Sequence, residues 1–299
     1  MFKKSMRKLA CGILAVASVT ACMSTFTACE TAHPEVQMTI KFGTNEYVLE
    51  YQLYRNIAPA TTNHFLWLVE NNYYDGLCVH DYSSEKMYTG VYQSDDESEN
   101  GLKYKEYYTE VAKLNAAAVA AGRSAFPVSV YAIAEKTSSN ALYTLYGEFE
   151  DNNFQVENGD KTEAFGSLTM YYHAKSSNDD RVYVQRNDDA NTLAGRNYKY
   201  NSATSQFYIT LSDSNASSTA YCTFAYLVDD EDNIQQLKNL QQAIADAEEA
   251  AEEEGGSFTE SHTLRVDEDD VYVSDVTTKK TFKVPTTAIV ITDITVTKF

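Results

Sequence analysis

The chain has 299 residues, with 43 acidic against 24 basic side chains and a formal charge of −19 at pH 7. So acidic a chain lacks the clustered Lys and Arg that neutralise phosphates, which argues against nucleic acid and against a basic face for anionic lipid; the charge itself reads as solubility. The length admits one large domain or two, and the absence of a Pro/Gly/Ser-rich linker favours one decorated domain.

In chain order, Lys3, Lys4, Arg7 and Lys8 precede a run from Leu9 to Ala28 without any charge. This is the basic and apolar layout of a signal peptide. A run of about 20 residues also suits a short transmembrane helix, but its Ser, Thr and Cys content and the cysteines near its end favour processing. Val19-Thr20-Ala21-Cys22 and Phe26-Thr27-Ala28-Cys29 both resemble the lipobox of bacterial lipoproteins, whose cysteine is lipidated and becomes the new N-terminus. Cys22 fits the motif better; Cys29 fits the end of the apolar run better, because Glu30 is the first acid. Either choice predicts an extracytoplasmic protein on a lipid anchor in the bacterial cell membrane, with residues 1–28 as signal peptide and 29–35 as tether. Losing the four cations takes the formal charge from −19 to −23.

Val36 to Lys41 and Glu46 to Tyr54 alternate apolar and polar residues around Gly43-Thr44-Asn45, the pattern of a β-hairpin with one wet face. Pro59 suits a first helical turn, and Phe65, Leu68 and Val69 follow at helical spacing. After an Asp75-Gly76 turn, a strand of Leu77, Cys78 and Val79 delivers His80 and Asp81. Asp95, Asp96, Glu97 and Glu99 form an acidic loop that lacks the glycine and distal glutamate of a calcium loop, so no metal is expected. Lys105 to Ala121 reads as a helix closed by Gly122, and Phe126 to Ala134 and Arg181 to Val184 as strands. Tyr221 to Leu227 is a further strand, and Asn233 to Glu254 a helix with Ile234, Leu237, Leu240 and Ile244 on one face and a solvated Ala/Glu tail. His262 to Val266, Val271 to Val273 and Thr281 to Val284 form a short-stranded lobe, before a closing strand from Thr287 to Lys298. Cys78 and Cys222 sit in apolar segments and read as buried free thiols, with a single bridge between them left open. The periodicities alone give a mostly antiparallel barrel or sandwich.

Several segments are more specific than periodicity. Ile57 to Tyr82, Leu145-Tyr146-Gly147-Glu148-Phe149-Glu150-Asp151-Asn152-Asn153-Phe154, Gly166 to Met170 and Ser205-Gln206-Phe207-Tyr208-Ile209 occur in one order. Together they resemble the cyclophilins, the barrel-shaped peptidyl-prolyl cis-trans isomerases. The resemblance implies a mainly β fold over 36–299, a closed antiparallel β-barrel capped by helices, with insertions near 92–143, 175–200 and 245–280. It implies isomerisation of X-Pro bonds or folding assistance without cofactor or metal, acting on proline-containing peptides or unfolded extracytoplasmic proteins.

By the same resemblance, His80, Met87, Gln206 and Tyr208 fall on the substrate groove. Tyr171 and Tyr172 replace small groove residues there. Gln206 matches a pocket glutamine, Tyr208 stands for a ring-contacting phenylalanine, and Asp81 falls on the catalytic arginine. An ionised Asp81 accepts hydrogen bonds and does not donate, and losing one preorganised donor costs about 10² to 10³ in rate. Weak isomerase activity is therefore expected, with Arg181 or Arg186 as candidate stand-ins. A non-catalytic peptide- or protein-binding surface lipoprotein is the alternative, and an unrelated carbohydrate or adhesion module using the many tyrosines is a third.

Overall fold

The computed structural model describes residues 32–98, 100–126, 133–134, 141–142, 148, 161–171, 173–174, 181–186, 189–197, 199–200, 204–213, 222–265 and 279–299. The segment read as a signal peptide and both lipidation candidates, Cys22 and Cys29, lie outside these residues, as do Tyr172 and Tyr221. Two long strands open the fold, β1 (Glu35–Phe42) and β2 (Asn45–Leu53), followed by helix α1 (Pro59–Glu70). Short strands β3 (Leu77–Cys78), β4 (Asp81–Tyr82), β5 (Lys86–Thr89), β6 (Tyr92–Ser94) and β7 (Leu102–Tyr104) lead to helix α2 (Tyr107–Ala120). Then come β8 (Ile133–Ala134), β9 (Ala141–Leu142), β10 (Leu168–Met170), β11 (His173–Ala174), β12 (Arg181–Arg186), β13 (Asp189–Asn197) and β14 (Lys199–Tyr200). Strands β15 (Phe207–Thr210) and β16 (Thr223–Leu227) precede helix α3 (Glu231–Glu253), and β17 (Thr259–Arg265), β18 (Lys279–Pro285) and β19 (Ile289–Lys298) end the chain.

The period-two pattern does the work expected of it at the start. Val36, Met38, Ile40 and Phe42 on β1 and Tyr47, Leu49, Tyr51 and Leu53 on β2 all point into the core, and Gly43 takes the turn at φ +58°, a region open to glycine at little cost. Pro59 starts α1, but the preceding Ala58 has no side chain to cap the free amides. Helix α3 is capped by Asp230, whose carboxylate accepts from the amides of Asp232 and Asn233. Asn233 then exchanges two 2.8 Å hydrogen bonds with the backbone of Glu50, which fixes the helix on β2.

Eleven strands form one sheet in the order β4-β5-β15-β10-β16-β2-β1-β19-β3-β6-β7. The last strand lies against the first, from Glu35 opposite Lys298 to Phe42 opposite Ile289, as expected of a closing strand. The sheet curls through 297° and falls short of the full ring implied above. Its seam is at Val79-His80, because β3 belongs to one end of the strand order and β4 to the other. The bond from Thr89 Oγ1 to Cys78 O at 3.0 Å spans it, while Val79 N to Ile289 O and His80 N to Tyr88 O, both at 2.9 Å, prolong the β3–β19 and β4–β5 pairings up to it. Inside, Phe65 of α1 packs its ring 5.7 Å from Phe207 and 5.1 Å from Phe224. Leu237, Leu240 and Ile244 of α3 and Val111 of α2 join this core.

The β17–β18 ribbon is a separate two-stranded sheet that lies on the outer side of the seam. It closes a second, smaller core of Cys78, Val91, Tyr92, Leu102, Leu264, Phe282 and Val284. Strands β12 and β13 belong to another small sheet with β8 and β9. Among the described residues no helix is long and apolar enough to cross a membrane.

Candidate active site

Residues directly opposite on neighbouring strands share a face of the sheet. Asp81 is opposite Tyr88, Tyr88 opposite Tyr208, and Tyr208 opposite Thr169. These side chains therefore form one patch on the outer face of β4, β5, β15 and β10. The ring of Tyr88 lies 5.1 Å from that of Tyr208 and 5.3 Å from that of Tyr171, so Asp81, Tyr171 and Tyr208, singled out in the sequence, come together. Burial pushes the hydroxyls of Tyr171 and Tyr208 well above the usual tyrosine range, which keeps both neutral.

Met87 departs from the expected placement. It is opposite Tyr82 and Ile209, is 0 % exposed, and belongs to the inner core. The side-chain period of a strand is two, so a shift of one residue in the match moves a residue to the other face. Its neighbours Lys86 and Tyr88 are the ones that face the patch. Lys86 Nζ sits 4.1 Å over the Tyr208 ring and 3.4 Å from the carboxylate of Glu163. Glu163, which no sequence pattern singled out, is buried and also accepts from Thr210 Oγ1 at 3.0 Å.

His80 is buried too, not on the patch but beneath the ribbon, its ring 5.2 Å from both Tyr92 and Phe282. Neither ring nitrogen has a hydrogen-bond partner among the described residues. Burial, helped by the Lys280 ammonium, holds its pKa down to about 3, so it is a neutral packing group. Gln206 is 2 % exposed and lies at the entry to β15, where its carbonyl accepts from Tyr171 N at 2.9 Å. Gly90 is pressed against this segment at φ +106°: a Cβ there would stand 2.3 Å from Ser205 O, so only glycine fits.

Asp81 is half-buried and already engaged. Its Oδ1 accepts the backbone N–H of Lys283, on β18, at 2.8 Å. Burial raises its pKa, while that N–H and the Lys280 and Lys283 ammonium groups pull it back. The carboxylate thus fastens the ribbon across the edge of the patch. Of the stand-ins named above, Arg181 and Arg186 lie on β12, in the separate four-stranded sheet. Among the described residues, the cation that reaches the patch from another segment is Lys280, whose Nζ is 3.5 Å from Tyr171 OH.

Elsewhere, a cleft of about 330 Å³ opens between the acidic loop and the ribbon, with Asp96, Glu260 and His262 over Leu102 and Val284. Among the described residues no three His, Cys, Asp or Glu side chains converge as metal ligands. Cys78 and Cys222 are free, buried thiols, and burial pushes Cys78 up to about 12 and Cys222 further. Neither is a nucleophile at neutral pH.

Residues 38–253 match the family described as cyclophilin type peptidyl-prolyl cis-trans isomerase/CLD. Among solved structures, a cyclophilin type peptidyl-prolyl cis-trans isomerase from Cryptosporidium parvum is similar over 89 % of this chain and 99 % of its own, at 15 % identity and a TM-score of 0.41. A second structure of that protein, in the presence of the dipeptide Ala-Pro, matches over the same shares at 15 % identity with a TM-score of 0.40. The Mimivirus cyclophilin matches over 71 % of this chain and 80 % of its own at 14 % identity, with a TM-score of 0.38. No curated protein matches the chain. With the family pattern spanning most of its length, from within β1 to the end of α3, the chain belongs to the cyclophilin-type peptidyl-prolyl cis-trans isomerase family.

Proposed function

We propose that this chain is an extracytoplasmic peptidyl-prolyl cis-trans isomerase of low turnover, held to the cell membrane by a lipid anchor and acting on proline-containing segments of other extracytoplasmic proteins. The observation that carries the reading is the tyrosine patch. The rings of Tyr171 and Tyr208 lie 5.3 Å and 5.1 Å from that of Tyr88 and are 6 % and 4 % exposed, so a proline ring meets this aromatic cluster by displacing what covers it, Lys86 included; Ala-Pro is the ligand type present in one related structure. Rotation about an X-Pro bond must break amide resonance and takes tens of seconds unassisted. A protein accelerates it by binding the twisted state better than either planar one.

Low turnover follows from two contacts. Asp81 brings a negative charge where the resemblance places an arginine, and its Oδ1 is already bonded to Lys283 N. Lys86 covers the Tyr208 ring, so an incoming proline has to displace it. These same contacts favour a second reading, a recognition module that binds peptide without turnover.

The test is NMR exchange spectroscopy on Ala-Pro peptides with the detergent-solubilised chain. Catalysed exchange that disappears in Tyr208→Ala, with circular dichroism unchanged, is the expected result. Peptide line broadening without exchange selects the second reading. Millimolar peptide that perturbs no resonance of the patch would overturn both.

A further inference from the structure

An isomerase needs a hydrogen-bond donor beside the twisting bond, and Asp81 has none to give. Among the described residues two ammonium groups reach the tyrosine patch. Lys86 is committed to Glu163 at 3.4 Å and to the face of Tyr208. Lys280 is held in a different way. Along β18 the residues Lys280, Phe282 and Val284 alternate toward the barrel, and Phe282 and Val284 are 1 % and 5 % exposed, so the strand is seated on the second core. The Lys283 amide on Asp81 sets the same strand against β4. Lys280 is thereby carried to the edge of the patch, its Nζ 3.5 Å from Tyr171 OH and 5.6 Å and 5.5 Å from the centroids of the Tyr171 and Phe282 rings.

An ammonium group has three donors. One is directed at the Tyr171 hydroxyl over a long bond, and among the described residues no carboxylate lies within ion-pair distance of Lys280, although Asp81 is near enough to feel its charge. Of the other cations of the ribbon, Lys283 Nζ bonds Ser261 Oγ at 3.0 Å, Arg265 pairs with Glu106 at 2.8 Å, and Lys279 is exposed at a position of β18 that alternates away from the second core. We infer that Lys280 is the donor to the peptide bound on the tyrosine patch, and that the β17–β18 ribbon supplies the cation which β4 lacks. The inference rests on the isomerase reading above.

The chemistry requires no bond to form or break covalently. As the X-Pro bond twists, resonance is lost and the prolyl nitrogen regains a lone pair. A donor facing that lone pair bonds only the twisted state, so the interaction lowers the barrier without tightening the ground state. Water is partly excluded by the surrounding rings, which strengthens a charged donor relative to bulk solvent.

The experiment compares the wild-type chain with Lys280→Met, Lys280→Arg and Lys86→Met, following both peptide affinity and exchange rate with an Ala-Pro tetrapeptide. Lys280→Met is expected to lower exchange on the order of 10²-fold with little change in affinity, Lys280→Arg to restore most of it, and Lys86→Met to raise exchange by uncovering the Tyr208 ring. Wild-type exchange in Lys280→Met would overturn the inference and leave the isomerase reading standing. Wild-type binding without exchange would overturn it while leaving the recognition module. Absence of binding removes the reading and the inference together. Hydrogen exchange of the Lys283 amide reports whether the ribbon stays docked in each variant: loss of docking in Lys280→Met that arginine fails to reverse would make Lys280 structural and overturn the inference as well.

Discussion

Glu148 holds the free amides at the start of α1, with Oε1 3.0 Å from Ala60 N and Oε2 2.8 Å from Thr61 N. It does for this helix what the capping side chain missing at Ala58 cannot. Burial raises its pKa to about 7, although the N–H groups of Thr61 and Ala60 act against the shift. A carboxyl group with a raised folded-state pKa binds more protons folded than unfolded between its ordinary value of 4.5 and about 7. Its share of stability is therefore complete below pH 4.5 and lost as pH rises through 7, by up to about 3 kcal/mol. Thermal melts at pH 5 and pH 7.5 should show that loss shrinking in Glu148→Gln; an equal pH dependence in both chains would refute the assignment. The segment from Leu145 to Phe154 is conspicuous in the sequence, yet the job of Glu148 within it depends on amides 87 and 88 positions away. Asp81 is similar: its departure from the family pattern is plain in the sequence, but its partner Lys283 lies 202 residues further on. Met87 fails for a more local reason, since a one-residue shift on a four-residue strand decides between core and surface.

At the scale of elements, β1, β2, β19 and the three described helices were legible because each carries several periods of its own pattern, whereas the nine-residue β13 was not picked out. The ribbon was legible only as a short-stranded lobe. Its pairing within itself is local, whereas its seat on Cys78, Tyr92 and His80 is a tertiary contact that no periodicity encodes. Phe282 is the key to that seat, 1 % exposed and edge-on to His80 at an interplanar angle of 84°. Phe282→Ala removes a buried ring, a change that costs about 3–5 kcal/mol in well-packed cores. The ribbon touches the sheet from outside through its own small core, so the loss should be confined to it. Hydrogen exchange is expected to speed up across Thr259–Arg265 and Lys279–Pro285 while β1 and β19 keep their protection. If β1 and β19 lose protection to the same extent, the ribbon and barrel unfold as one unit and the second core is not separable.

At the scale of the whole molecule, a strongly acidic composition and an uncharged apolar run from Leu9 to Ala28 make opposite demands on a membrane. A formal charge of −19, or −23 without the four leading cations, repels anionic headgroups, and no described helix can span a bilayer. The attachment expected from the sequence runs through the N-terminal segment, either uncleaved or through a lipidated cysteine. A single acyl chain gives only marginal binding, whereas two or more hold firmly, so the lipobox reading predicts membrane retention that salt does not reverse. Growth with a labelled fatty acid separates the cases. Label in the wild-type chain that vanishes in Cys29→Ala but persists in Cys22→Ala assigns the anchor to Cys29, and the reverse result assigns it to Cys22. Unlabelled chain that still sediments with membranes points to an uncleaved leader and would end the lipoprotein reading. Release of unlabelled chain into the medium would make it a secreted isomerase, free to meet its substrates away from the membrane.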